Sequence, residues 1–260
     1  MQNTFSDPFD LDGPSFSALL RRRLPAAFEA AFSSTPIDHV EGTTIVALTF
    51  SGGVVIAGDR RATAGNIISK RDMRKVFEAD GWSAVGISGA AGPAMEMAKI
   101  FATELEHYEK VEGGPLSLEG KANKLAQMVR ANLPLAMQGL VVVPLFAGFD
   151  PRDHIARIYE FDAAGGRYEE RRFATAGSGG RDARGSLKAR FREGLDRDAA
   201  VGMVIEALWD AADEDSATGG PDLVRGIYPL VAVIDAEGYG ELDDSTVAER
   251  VQSVIADRRL

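Results

Sequence analysis

The stretch "HVEGTTIVALTF", His39 to Phe50, sets an apolar β-rich run directly behind a Gly-Thr-Thr step. The 42 residues that end at this step are rich in Asp, Ser, Pro and Phe and show only one short amphipathic pattern, with an apolar residue every four positions. From Thr43 onward the composition changes to that of a folded domain. The sequence therefore predicts a detachable arm over residues 1–42 and an ordered domain that begins at Thr43.

Apolar and β-branched runs beyond this step predict a succession of strands and helices. "TTIVALTF" and "VVIAGD" flank Ser51-Gly52-Gly53 and predict a hairpin. Further strands are predicted at "WSAVGISG", "LVVVPLFAGFD", "HIARIYEFD", "GRYEERRFATAGSGG" and "YPLVAVIDAEG". Helices are predicted to open at Gly92-Pro93, to follow Ser117, and to form at "GRDARGSLKARF", "DAAVGMVIEALWDAADEDSATGG" and "DSTVAERVQSVIADRRL", the last capped by Asp244 or Ser245. Because helices come in pairs between runs of strands, we expect helix layers on the outer faces of two stacked sheets.

The helix that Gly92-Pro93 is predicted to open has an apolar stripe with helical spacing. The stripe consists of Ala94, Met97, Ala98, Phe101, Ala102, Leu105 and Tyr108. His107 falls on the opposite, charged face, so we interpret it as a solvated histidine rather than a ligand.

Composition excludes several classes of protein. With 260 residues and 45% hydrophobic content, the chain fits one globular domain with an appendage. Zero cysteines exclude disulfides, thiolate catalysis and cysteine-based metal sites, and agree with a reducing cytoplasm. A net charge of −10 opposes binding to nucleic acid, and no apolar run approaches the roughly 20 residues of a membrane helix.

The triple arginine at positions 21–23 raises the alternative of a twin-arginine export signal. Pro25 and Glu29 interrupt the apolar region that such a signal requires. We therefore expect a cytoplasmic protein without a membrane or nucleic-acid partner.

Most familiar catalytic motifs fail in this sequence. The three histidines have no paired spacing, so a histidine metal site is not expected. "GSGGRDARG" has Asp182 in the place of the third glycine of a dinucleotide loop, and neither a Walker A sequence nor a G-x-S-x-G elbow is present. We expect no cofactor and no metal.

A threonine whose base is its own α-amine remains as a nucleophile that needs no histidine. Cleavage before Thr43 would create that pair, and Gly42 would let the hydroxyl approach the preceding carbonyl. Lys75 would keep the amine neutral, and Asp59 would keep Lys75 charged and oriented. Taken singly, each of these charged residues also fits an ordinary surface ion pair or cap.

At these residues the chain resembles the β-subunit family of 20S proteasomes, most closely the actinobacterial form. The matching stretches are "GTTIVAL", "AGDRRAT", "RKVFE", "GISGAAG", "LEHYEK", "QGL", "AGSGG" and "DAADEDSATGGPDLVRGIYP", in family order from Gly42 to Pro229. The resemblance implies an α+β N-terminal-nucleophile hydrolase fold, a four-layer α-β-β-α sandwich. It also implies autocatalytic removal of residues 1–42 as a propeptide, by cleavage between Gly42 and Thr43, to leave a single peptidase domain over 43–260.

The resemblance also assigns roles to individual residues. Thr43 matches the nucleophile, and Gly89 matches the glycine whose N–H binds the developing oxyanion. The other residues matched to catalysis are Asp59, Lys75, Ser178 and Asp215, with Arg61 and Thr218 in support. Those matched to the side-chain pocket are Ala62, Met73, Ile87, Ala91 and Met95, all apolar, while Thr63 matches a residue that pairs with the substrate backbone. An apolar pocket predicts cleavage after bulky apolar residues.

The family relation further implies partners. Expected are a homo-heptameric β ring stacked with α rings as α7β7β7α7, a ring ATPase activator, and substrates tagged with a small ubiquitin-like protein (pupylated substrates). Two alternatives stay open at this point: an HslV-type peptidase, which also begins Thr-Thr but is shorter, and a catalytically silent ring subunit.

Overall fold

The structure is a computed structural model that describes Arg23 and residues 42–258. The rest of the predicted arm, with its amphipathic pattern, lies outside the described residues.

Twelve strands and six helices form the described part of the chain. The strands are β1 (Thr44–Phe50), β2 (Gly53–Gly58), β3 (Ala62–Ala64), β4 (Ile67–Lys70), β5 (Val76–Asp80), β6 (Ser83–Gly89), β7 (Val142–Asp150), β8 (Ile155–Phe161), β9 (Arg167–Glu170), β10 (Phe173–Gly177), β11 (Leu230–Asp235) and β12 (Gly238–Glu241). The helices are α1 (Ala91–Glu112), α2 (Leu118–Ala131), α3 (Leu133–Ala136), α4 (Gly180–Arg190), α5 (Arg197–Glu214) and α6 (Asp244–Arg258).

Two five-stranded antiparallel sheets form the centre of the fold. The first has the order β10-β1-β2-β11-β12, and the second has the order β5-β6-β7-β8-β9. β3 and β4 form a separate hairpin. The hairpin predicted around Ser51-Gly52-Gly53 is confirmed, because β1 pairs with β2 from Ile45 opposite Gly58 to Phe50 opposite Gly53.

Three apolar clusters hold the layers together. Val46 and Val55 pack with residues of α4, α5 and α6 on the outer face of the first sheet. Phe146 and Tyr159 pack with α1 and α2 on the outer face of the second. A third cluster, with Ile45, fills the space between the sheets. The predicted four-layer α-β-β-α sandwich is confirmed.

One predicted strand is in fact two. The run "GRYEERRFATAGSGG" breaks at Arg171 and Arg172, so that β9 ends the second sheet while β10 lies on the edge of the first, beside β1. Thr49 of β1 fixes this crossing between sheets, since its N–H donates to the Arg172 carbonyl at 2.9 Å and its hydroxyl contacts both arginine carbonyls at 3.1 Å.

Two details of the helices also differ from the prediction. The stripe of α1 is buried at Ala94, Met97, Ala98, Phe101 and Leu105, but Tyr108, near the end of the helix, is 38% exposed. The cap of α6 is Asp243 rather than Asp244 or Ser245, because its carboxylate accepts the Thr246 N–H at 2.8 Å.

No helix within residues 42–258 combines the length and the apolar character needed to cross a membrane.

Candidate active site

Thr43 lies at the start of β1, where the edge strand β10 ends beside it. Thr44 pairs with Gly177, and the Ser178 N–H donates to the Thr43 carbonyl at 2.9 Å. Gly177 has φ 93°, and a Cβ at this position would lie 1.9 Å from the Thr43 carbonyl oxygen. Only glycine therefore lets β10 approach Thr43 this closely.

The Thr43 hydroxyl is directed at the peptide bond that precedes it. Thr43 is 5% exposed, and its Oγ1 donates to the Gly42 carbonyl at 2.7 Å. Gly42 has φ 99°, and a Cβ there would come within 2.6 Å of Thr63 Oγ1 and 2.9 Å of the Ala217 carbonyl oxygen. Both the conformation and the space at position 42 therefore require glycine.

Lys75 contacts the same carbonyl from inside the protein. Its Nζ donates to Gly42 O at 2.7 Å, to Asp59 Oδ1 at 2.6 Å and to the Arg61 carbonyl. Both side chains of the Lys75–Asp59 pair are fully buried. Three acceptor oxygens match the three N–H bonds of an ammonium group, which indicates that Lys75 is charged here. Burial lowers the pKa of Lys75, although Asp59 acts in the opposite direction.

Asp59, just beyond the end of β2, is held by the backbone. Its Oδ1 accepts the Thr44 N–H at 2.8 Å, and its Oδ2 accepts the N–H groups of Arg61 at 2.9 Å and Gly219 at 2.8 Å. This carboxylate therefore links β1 and the loop after α5 to the buried lysine, and its charge is hydrogen-bonded throughout.

Asp215, at the C-terminal end of α5, accepts hydrogen bonds from two hydroxyl groups. Its Oδ2 accepts Ser178 Oγ and Thr218 Oγ1, both at 2.6 Å, and its Oδ1 accepts the Ala217 N–H at 3.0 Å. Desolvation acts to raise the pKa of Asp215, but these donors, with Lys75 nearby, outweigh it and hold the pKa below the ordinary value. The side chain is thus an ionised acceptor beside Thr43.

Arg61 braces the loop that carries Asp215. Its Nη1 donates to the carbonyls of Ser216 and Thr218, each at 3.1 Å. The structure therefore brings together seven residues singled out from the sequence, namely Thr43, Asp59, Arg61, Lys75, Ser178, Asp215 and Thr218.

A family model for the proteasome subunit matches residues 40–224, which is more than half of the chain. The chain belongs to the proteasome subunit family. Relatives named proteasome subunit beta include one from Acidimicrobium ferrooxidans, 59% identical over 94% of this chain and 89% of the relative. One from Acidothermus cellulolyticus is 56% identical over 90% of this chain and 82% of the relative, and one from Streptomyces griseus is 56% identical over 86% and 79%.

Membership of the proteasome subunit family gives the chain its general function. It is a proteolytic subunit of a proteasome core particle, with the peptidase activity that this implies. No group of three or more His, Asp or Glu side chains within residues 42–258 is arranged to hold a metal ion.

The remaining predicted residues of this proteasome subunit lie on β3, β6, α1 and the segments next to them. Gly89 ends β6 with φ 98°, where a Cβ would come within 2.1 Å of the Val141 carbonyl oxygen. Ile87 donates its N–H to the Lys75 carbonyl at 2.9 Å, and its side chain packs in the cluster under α1. The positions of the others are as follows: Ala62 and Thr63 are buried in β3, Met73 precedes β5, and Ala91 and Met95 lie half-buried in the first turns of α1. The oxyanion and pocket roles stay predictions.

Two members of the site, Thr44 and Gly179, were not predicted from the sequence. Thr44 is fully buried, and its Oγ1 lies 2.7 Å from Thr218 Oγ1 and accepts the Gly179 N–H at 3.1 Å. A polar residue at the first position of an otherwise apolar strand was the signal that could have found Thr44.

Proposed function

We propose that the chain is a threonine endopeptidase that first cleaves its own Gly42–Thr43 bond and then works through the free N-terminus of residues 43–260. The observation that carries this proposal is the pair of contacts at one carbonyl. Gly42 O lies 2.7 Å from Thr43 Oγ1 on one side and 2.7 Å from Lys75 Nζ on the other.

The first step is attack by the Thr43 hydroxyl on the Gly42 carbonyl carbon. The Lys75 ammonium polarises this carbonyl and stabilises the oxyanion that forms. A bond from Oγ1 to the carbonyl carbon replaces the carbon–nitrogen bond, and the hydroxyl proton goes to the leaving nitrogen. Water then hydrolyses the resulting ester, which releases residues 1–42 with a carboxylate on Gly42 and leaves a free hydroxyl and α-amine on Thr43.

The exposed α-amine then serves as general base for the hydroxyl of the same residue. Model α-amines titrate near 7.7 to 8.0, and the adjacent Lys75 ammonium favours the neutral, basic form. Asp59 orients Lys75 through the 2.6 Å ion pair. Ser178, Asp215 and Thr218 supply the polar groups that order the new terminus, and the Gly89 N–H binds the oxyanion of an incoming peptide.

Substrate preference follows from the residues assigned to the pocket. The group of Ala62, Met73, Ile87, Ala91 and Met95 is uncharged and apolar, so we expect cleavage after bulky apolar residues, with Thr63 pairing with the substrate backbone. A panel of fluorogenic peptides that differ only at the residue before the cleaved bond measures this preference. Faster cleavage after acidic or basic residues would contradict it.

The assembly and setting of the enzyme follow the family pattern in our proposal. Seven copies form a β ring, two such rings stack between α rings as α7β7β7α7, and a ring ATPase delivers unfolded, pupylated proteins in the cytoplasm. The support for this arrangement is the resemblance of the chain to actinobacterial β-subunits, together with relatives of that name from actinobacteria.

N-terminal sequencing and intact mass of the assembled protein test self-cleavage. The wild-type chain is expected to begin at Thr43, and Thr43→Ala to keep its leader and hydrolyse no peptide. Thr43→Ser is the matched control, since it keeps a hydroxyl and should still lose the leader, at a lower rate. An active particle that retains residues 1–42, or full activity in Thr43→Ala, would overturn the proposal. A silent subunit would keep its leader in every variant.

A further inference from the structure

Thr44 points away from the Gly42–Thr43 bond, to the other face of β1. Because side chains alternate along a strand, Thr44 shares its face with Val46 and Leu48, which pack against the helix layer. A hydroxyl on such a face must find partners within the protein. Thr44 finds them in Thr218, in the loop after α5, and in Gly179, just before α4.

The hydrogen bonds around Thr44 can run in one direction only. The Gly179 N–H can only donate, so the Thr44 oxygen is its acceptor. The Asp215 carboxylate can only accept, so the proton of Thr218 is committed to Asp215. The proton of Thr44 is therefore the one that lies between Thr44 and Thr218, at an oxygen separation of 2.7 Å. Amide, two hydroxyls and carboxylate form one directed chain.

Gly179 gives independent evidence that this chain is built into the fold. Its φ of −82° is accessible to any residue, so conformation does not require glycine here. A Cβ at position 179 would instead lie 2.5 Å from Thr44 Oγ1 and 2.6 Å from Thr218 Oγ1. The position lacks a side chain because the two hydroxyls occupy the space.

We propose that Thr44 is a positioning residue of the peptidase, whose hydroxyl fixes Thr218 as a donor to Asp215 and so holds that carboxylate in place beside Ser178 and Thr43. The inference rests on the proposed function, because it assigns Thr44 to the same site. Thr44 touches neither the Gly42 carbonyl nor an incoming peptide. It acts through Thr218 and Asp215.

Other charged groups around Asp215 stay unchanged when Thr44 is replaced. Lys75 approaches from the start of β5 and favours the ionised carboxylate, while Asp59 neutralises part of that effect from the end of β2. Arg61 lies on the same loop through its bonds to the carbonyls of Ser216 and Thr218. A loss of kcat on substitution of Thr44 is therefore a consequence of the broken hydroxyl chain.

The test compares Thr44→Val with Thr44→Ser in the full chain, assembled and processed. Valine keeps the shape and the β-branch of threonine but removes the hydroxyl. We expect kcat to fall about five- to tenfold, as for loss of one buried hydrogen bond, with KM within about twofold of wild type. A role of Thr44 in substrate binding would instead raise KM and leave kcat near the wild-type value. Serine restores the hydroxyl and should restore kcat.

Gly179→Ala provides a second test that leaves every hydroxyl present. The added methyl group must displace Thr44 or Thr218, so kcat should fall in the same way, with KM close to that of wild type. If Thr44→Val does not assemble, Gly179→Ala alone tests the role of Thr44. A wild-type kcat in whichever of these variants assembles, with Thr43→Ala inactive, would overturn the role of Thr44 and leave the proposed function standing. Full activity in Thr43→Ala would instead mean that the proposed function itself has failed.

Discussion

Two buried lysines of this protein form the same kind of ion pair and differ in what surrounds them. Lys75 pairs with Asp59 and Lys121 of α2 pairs with Asp80, each with a nitrogen–oxygen distance of 2.6 Å. Lys75 also donates to two backbone carbonyls, one of which is Gly42 O beside the Thr43 hydroxyl. Asp80 instead accepts from two groups of its own hairpin turn, the Trp82 N–H and the Ser83 hydroxyl.

The comparison shows that burial of a charged pair does not by itself mark a reactive centre. The Lys121–Asp80 pair ties α2 to the β5–β6 turn, and the hydroxyl it contacts, that of Ser83, donates to the Asp80 carboxylate rather than to a peptide carbonyl. Lys75 of the other pair donates to the Gly42 carbonyl, which also accepts a hydrogen bond from the Thr43 hydroxyl. The contacts of the ammonium, rather than its burial, carry the argument for chemistry.

When each lysine is replaced by methionine, the largest difference between the two variants should appear in the rate of peptide hydrolysis. Lys75→Met removes the cation beside Gly42 O and Thr43, so we expect peptide hydrolysis to fall by about a thousandfold or more and leader removal to stop. Lys121→Met should hydrolyse peptides within about twofold of wild type. Fluorogenic peptide assays and intact mass on the two variants measure both effects.

Folding should survive in Lys75→Met, because Asp59 keeps three backbone N–H donors. Circular dichroism and assembly yield provide that control. Equal loss of activity in the two variants would remove the distinction between the pairs.

A smaller effect is expected on the free energy of unfolding, to which the Lys121–Asp80 pair contributes. Asp80 keeps its two turn donors and a side chain that is 13% exposed, so removal of Lys121 leaves a partly hydrated charge. We expect Lys121→Met to lower the free energy of unfolding by about 2 kcal/mol, below the usual cost of breaking a fully buried pair. Urea unfolding measures it.

Lys121→Met combined with Asp80→Asn provides the matched control for that measurement, since it removes both charges. The double variant should regain part of the lost stability. A double variant that is less stable than the single one would show that Asp80 matters for the turn alone.

Patterns local in sequence were sufficient for most of the fold. Alternation and Gly-containing turns predicted the β1–β2 hairpin, and the Gly92-Pro93 step predicted the start of α1 within two residues. The break at Arg171 and Arg172 was not predicted, because the β-rich run in the sequence continues across it. The two halves are separated by contacts distant in sequence, because β9 pairs with β8 while β10 pairs with β1, whose Thr49 also contacts the carbonyls of Arg171 and Arg172.

The site was predictable to the extent that its chemistry is local or resembles a known family. Gly42 and Thr43 adjoin in sequence, and their requirement for each other follows from chemistry. The partners of Thr44 are distant in sequence, since Gly179 lies 135 positions away and Thr218 lies 174 positions away. A single sequence contains no signal for such pairings until the chain is folded.

The short crossing between β9 and β10 limits how this protein can tolerate changes of length. β10 carries Gly177 and Ser178 to Thr43, and its pairing with β1 begins immediately after the crossing, at Phe173 opposite Leu48. One inserted residue that shifted this pairing would turn every side chain of β10 to the opposite face. Insertions should therefore be accepted at the exposed Ser51–Gly52 turn and rejected at Arg171–Arg172, which makes two surface positions of similar appearance very different targets for a peptide tag.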